Sequence, residues 1–189
     1  MQGGGPGPEA WDDLDALLRD AFALGQNFGW FDKRLCLLVE SHGWDGWISP
    51  TDKKGFRQRA QFVYRVDATI RYHAFRWEQL RKSQHGLWVY HLGNNLPVCP
   101  AEHRAFDGIA LPPEHAFWSV WYPPNTYNCG CYVSGAGNPR SARRLGGDPD
   151  KPLPGWWDDP ALGPDPAFVG LRRPDHREIL AAALRNEAG

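Results

Sequence analysis

The spacing of apolar and polar positions divides the chain into two textures. From Pro8 and Glu9 onward, Trp11, Leu14, Leu17, Leu18, Ala21 and Phe22 recur at helical spacing, and Gly25 stands where a C-terminal cap belongs. Trp30, Phe31, Leu35, Leu38 and Val39 share one face of a second helix, which ends at Gly43-Trp44-Asp45-Gly46 with Trp44 and Trp47 placed to close a core. Pro50 and Gly55 bracket a loop. From Phe56 to Ser83 the positions Phe56, Ala60, Val63, Ile70, Ala74 and Trp77 step by four and three, with Asp67 interrupting the stripe. A buried Asp67 requires partners, either neighbouring backbone or an arginine.

After Gly86 the period changes. Leu87-Trp88-Val89-Tyr90-His91-Leu92, bounded by Gly86 and Gly93-Asn94-Asn95, reads as a strand and turn, and Tyr132-Val133 is the next strand-like piece. Beyond Gly135 the chain passes through Gly137-Asn138-Pro139, Gly146-Gly147-Asp148-Pro149 and Pro152-Leu153-Pro154-Gly155 with little periodicity, the pattern of an extended, partner-dependent or loosely packed segment. Pro174-Asp175-His176 then opens a helix through Ile179, Leu180, Ala183 and Leu184. The expected class is α+β: a helical N-terminal region, a small β-containing motif region and an extended C-terminal segment. The corresponding divisions are a flexible N-terminus over 1–10, one domain over 11–135 (helical over 11–85, motif region over 86–135) and a Pro/Gly-rich extension over 136–189 ending in a short helix.

Composition narrows the class. The 189 residues are 42% hydrophobic and 13% aromatic, with ten tryptophans, ample material for a core. No apolar run approaches the roughly 18 residues that cross a bilayer, so a membrane is not an expected partner. The first residues, Met1-Gln2-Gly3-Gly4-Gly5-Pro6-Gly7-Pro8, have neither a charged start nor an apolar stretch, so no secretory signal is read and a reducing compartment is expected. Four cysteines are too few for a disulfide scaffold.

Charge is nearly balanced overall, with 21 basic against 22 acidic side chains, yet it is unevenly placed. Over 53–82, Lys53, Lys54, Arg57, Arg59, Arg65, Arg71, Arg76, Arg81 and Lys82 face only Asp67 and Glu78. A polyanion would meet this segment first, with Lys53, Lys54, Arg57, Arg65 and Arg76 as candidate contacts. The alternative is a long helix with a solvated basic face.

Candidate chemistry gathers over 98–133. If Pro100 begins a helical turn, Cys99 and His103 lie four apart and share a face, while Cys129 and Cys131 fall on one face of an extended segment. Together these four could supply a Cys₃His shell for structural zinc. A single residue between two cysteines is tighter than the usual zinc spacing, so two other readings stay open: reduced cysteines packed as small apolar residues, or a disulfide joining Cys99 to Cys129 or Cys131. His103, Asp107 and His115 with a neighbouring cysteine also contain the parts of a metal-dependent nuclease or another enzyme. No phosphate-cradling glycine loop, His-Glu-x-x-His or Gly-x-Ser-x-Gly occurs.

These same residues carry a resemblance. His103-Arg104-Ala105-Phe106-Asp107-Gly108, Phe117-Trp118 and Pro123-Pro124-Asn125-Thr126-Tyr127-Asn128-Cys129-Gly130-Cys131 resemble, in order and spacing, the signature of the phage Mu protein F-like head morphogenesis proteins. Ala23-Leu24-Gly25-Gln26-Asn27-Phe28, Gly43-Trp44-Asp45-Gly46 and Arg65-Val66-Asp67-Ala68-Thr69-Ile70-Arg71 look like the family's helical approach to that motif. Pro164-Asp165-Pro166-Ala167-Phe168 resembles its downstream run. The chain departs from the family pattern at Gly130, where Cys-Arg-Cys is general, at Asp67, where Asn is usual, and over Asn94-Asn95-Leu96-Pro97-Val98-Cys99, where an Asp-x-Arg-Val-Arg run is expected.

The resemblance implies a non-enzymatic minor head protein of a tailed phage or prophage. Its implied partners are portal and capsid proteins, with non-specific contact to DNA, and its implied place is the virion head after assembly in the host cytoplasm. It assigns His103, Asp107, Gly108, Trp118, Pro123, Pro124, Asn125, Asn128, Cys129 and Cys131 to the family motif. Related minor head proteins often carry Cys-x-x-Cys where this chain has Cys99 and His103, which fits a metal-like knot with the later cysteine pair.

Overall fold

The computed structural model describes residues 8–43, 53–93 and 100–168. Trp44, Trp47, Cys99 and the helix expected from Pro174 lie outside these residues. The chain forms two compact units that divide between Arg71 and Tyr72.

The first unit is helical. Helix α1 (Pro8–Ala23) buries Ala10, Leu14, Leu18 and Ala21, and α2 (Phe28–Ser41) buries Phe31, Leu35 and Val39. Between them Gly25 adopts φ +60°, the left-handed conformation that ends a helix at least cost in glycine. Asn27 then caps α2 by accepting the Trp30 N–H at 3.1 Å. Two expectations shift here. α1 already runs from Pro8, inside the stretch assigned to a flexible N-terminus, and Phe22, counted on its apolar face, is 44% exposed because Leu18 and Ala21 complete the buried stripe.

Helix α3 (Lys53–Lys82) begins before the expected Phe56 and includes Gly55. Its first part buries Phe56, Ala60, Val63, Val66 and Asp67, and the Tyr64 ring lies 5.2 Å from that of Phe31 while its hydroxyl donates to the Gln26 carbonyl. Arg71 Nε donates to Asp67 Oδ2 at 2.7 Å and its Nη2 to Asp15 Oδ1 at 3.1 Å, so the interruption in the stripe has its arginine partner.

The second unit begins with the end of α3 and centres on a three-stranded antiparallel sheet in the order β2-β1-β3. Strand β1 (Leu87–His91) pairs with β2 (Ala110–Leu111) through Trp88 and Leu111, and with β3 (Tyr132–Ala136) through Val89 and Ser134. Alternation sends Trp88 and Tyr90 to one face, into a core with Leu80, Phe106, Ile109, Phe117, Trp118, Trp121, Tyr122 and Val133. Ala74, expected on the apolar stripe of α3, is exposed; in this unit His73 and Leu80 are the buried positions, with Trp77 partly buried against Trp88 and Tyr122.

Val89 points to the opposite face, where it packs with Ala110, Ala136 and Ala142 of α6 (Pro139–Arg144). That second face corrects the reading of the chain beyond 135 as loosely packed. Asn138 and Ser141 form a capping box with Pro139 in the first turn, and a Cβ added to Gly147 would lie 2.7 Å from Val89, so backbone and helix close directly onto the sheet. The Trp121 indole donates to the Trp157 carbonyl at 2.7 Å, and Trp156 and Trp157 pack against the main core. No helix among the described residues is long and apolar enough to cross a membrane.

Candidate functional site

Helix α4 (Ala101–Phe106), α5 (Phe117–Trp121) and the loop that leads into β3 bring the motif residues together. Pro100 does open a helical turn, and α4 directs His103 and Phe106 inward. The backbone N–H of Cys129 is held by the Thr126 carbonyl at 3.0 Å, and Cys131 sits directly before β3. His103 Nδ1 consequently lies 3.8 Å from Cys129 Sγ and 3.7 Å from Cys131 Sγ. All three side chains are buried, and among the described residues they form the only group of three or more His, Cys, Asp or Glu side chains close enough to share a cation. Both thiols are free among the described residues, and Cys99, the other half of the disulfide reading, lies outside them.

Cys131 sulfur collects donors. The Cys129 thiol shares its hydrogen with it, and against the opposing effect of burial this bond, together with His103, the Tyr90 hydroxyl and the Gly93 N–H, holds the Cys131 thiol well below its ordinary range. The same Cys129–Cys131 bond, with burial, pushes Cys129 up. Burial and the nearby sulfurs likewise raise the Tyr90 phenol well above its usual range. Tyr90 in turn accepts from Asn125 Nδ2 at 3.2 Å, and the same amide donates to the Trp121 carbonyl at 3.1 Å. Gly93 and Gly130 make the approach possible: a Cβ on Gly93 would fall 2.0 Å from the Gly130 carbonyl oxygen.

The other motif residues shape this knot. Asp107 ends α4, its carboxylate accepts the Leu92 N–H at 2.8 Å, and its carbonyl accepts from Lys151. Gly108, at φ +78°, donates to the Tyr90 carbonyl and accepts from Asp148 N–H at 2.7 Å, which ties the motif to both the central strand and the chain beyond β3. The Trp118 indole donates to the Pro112 carbonyl at 2.9 Å. Pro123 and Pro124 are buried and joined by a cis peptide bond, whereas Asn128 is exposed. The downstream Pro164–Phe168 run docks on the same loop: Asp165 N–H donates to the Asn125 carbonyl, and the Phe168 ring packs edge-on against Tyr127.

The structure does not bring His103, Asp107 and His115 together. His115 Nδ1 accepts the Phe117 N–H at 3.1 Å and its ring lies 5.5 Å from that of Trp157, while the Asp107 carboxylate is committed to Leu92. Neither joins His103 in the buried cluster. The candidate polyanion contacts also part company. Lys54, Arg57 and Arg65 are exposed, with Arg57 set 6.0 Å from the Phe28 ring centre, but Arg76 donates to the Val133 carbonyl and to Gln79. Lys53 is described only by its place in α3. Two residues that complete the knot, Tyr90 and Gly93, were not read as site residues from the sequence; the available signal was the inward phase that Tyr90 shares with Trp88.

The family described as phage Mu protein F like protein matches over residues 13–134. The putative capsid assembly protein F of Escherichia phage Mu is 26% identical over 110 residues, which cover 57% of this chain and 24% of that protein. The present chain therefore corresponds to about a quarter of that relative's length. No solved structure matches. The family match spans well over half of the chain and contains the whole His103–Cys131 cluster, and the chain belongs to the phage Mu protein F-like family.

Proposed function

We propose that the chain acts in phage head assembly as a minor component of the procapsid, through contacts with portal and capsid proteins. The observation that carries this reading is the family match over residues 13–134, joined to a relative whose name is that of a capsid assembly protein. The motif geometry supports a structural rather than a catalytic role. Its histidine faces two buried sulfurs, and its aspartate and glycine hold backbone. Assembly would take place in the host cytoplasm and leave the chain in the head interior or near the portal. The exposed Lys54, Arg57 and Arg65 give packaged DNA a weak, salt-sensitive surface without base recognition.

The test is gradient sedimentation of the purified chain with purified portal protein and with proheads. The chain is expected to move into the fractions of one or both. If it stays at the top of the gradient with each, the proposal fails. Assay of DNA and RNA cleavage with divalent cations separates the enzyme reading: no cleavage above that of the His103→Ala protein is expected.

A further inference from the structure

We propose that His103, Cys129 and Cys131 bind a structural zinc ion. The donor set is the first argument, since imidazole nitrogen and thiolate sulfur are the ligands that tetrahedral zinc takes in closed protein sites. Distance is the second. Zinc bonded at about 2.3 Å to sulfur and about 2.0–2.1 Å to nitrogen sets those atoms roughly 3.6 Å apart across a tetrahedral edge. The observed separations are 3.7 and 3.8 Å, and all three ligand atoms lie within 4.8 Å of one another. The two nitrogen–sulfur separations thus match the edges of a zinc shell.

Charge and burial supply the third argument. An unpaired thiolate in an interior is costly, while two thiolates and a neutral imidazole balance one zinc ion. With His103 at 3%, Cys129 at 4% and Cys131 at 0% exposure, the three donors are shielded from bulk solvent. The donors from the Gly93 N–H and the Tyr90 hydroxyl to Cys131 form an outer layer that orients a ligand sulfur. Bound there, zinc would link α4 to the segment that leads into β3. Coordination releases to solvent whatever thiol protons the cysteine pair carries and changes no oxidation state.

The experiment uses the full chain, produced with zinc and purified under reducing conditions. Metal analysis after dialysis is expected to give about one zinc per chain, falling at least tenfold in Cys131→Ser and in His103→Ala and staying unchanged in Cys36→Ser. Because a ligand variant can fail to fold, the unaltered chain is also exchanged with Co(II). Tetrahedral visible bands with sulfur-to-cobalt charge transfer are expected, with an intensity that corresponds to two thiolates. Zinc below about 0.1 per chain, a cobalt spectrum without charge transfer, or zinc retained by both ligand variants would overturn the proposal.

Discussion

Gly93 lies so close to Gly130 that a methyl group on it would fall 2.0 Å from the Gly130 carbonyl oxygen. The obstacle is backbone, which cannot swing aside as a side chain does, and Gly130 lies between the two motif cysteines. Gly93→Ala is therefore expected to cost about 2–4 kcal/mol of unfolding free energy, measured by denaturant titration. Gly137→Ala is the comparison, because nothing lies within 4 Å of its added methyl, and it should change stability by less than about 0.5 kcal/mol. Equal effects in the two variants would remove the close approach as the cause.

The ion pair in the helical unit makes a second test. Burial opposes the charge on Arg71, yet its hydrogen bond to Asp67 and the charges of Asp67 and Asp15 outweigh this and raise its pKa. Arg71→Met leaves the Asp67 carboxylate 5% exposed without that cation, at an expected cost of about 2 kcal/mol. Asp67→Asn preserves an acceptor for Arg71 and should cost about 1 kcal/mol or less. Thermal melts of both variants check the order.

Much of this architecture was legible from local signals. Gly25, Asn27 and the apolar spacing of α1 and α2 place the first two helices, because caps and period are properties of a few neighbouring residues. The run Leu87–Leu92 likewise marks β1. What escaped was set by distant packing. β2 has two residues and α5 has five, too few to show a period, and His103 meets sulfurs 26 and 28 positions away. Spacing and residue type suggest the grouping of Cys99, His103, Cys129 and Cys131, and the fold brings the last three to one point.

The segment beyond β3 shows how a local signal can be present and outweighed. Asn138-Pro139 followed by Ser141 is a helix start, but the surrounding glycines and prolines suggested looseness. Its order comes from Ala142 and Gly147 closing on the second face of the sheet. Asn138→Ala removes the side-chain acceptor for the Ser141 N–H and should destabilise the chain by about 1 kcal/mol. Faster amide exchange is expected across Pro139–Arg144, and unchanged exchange there would show that the cap does not hold the helix.

A pH dependence follows from His91. Its ring accepts or donates at Ser134 Oγ over 2.7 Å and stacks on Tyr132, and burial lowers its pKa against the opposing charge of Asp107. The unfolded chain thus holds the His91 proton to higher pH than the folded one does. Its contribution to stability is complete above the unfolded value of about 6.5 and declines as pH falls toward the folded value. Unfolding titrations between about pH 7.5 and 5 should show a shallower loss for His91→Gln than for the unaltered chain. A steeper loss in the variant would reverse the sign.

We propose that this motif builds a structural part of a phage head assembly protein. Quantitative mass spectrometry of purified proheads and finished virions, with copy number set against the portal protein, tests it most directly. The chain is expected in proheads at a fixed ratio to the portal, whether it then stays in the virion or leaves during maturation. Absence from both particles, in cells where the chain is abundant, would contradict it.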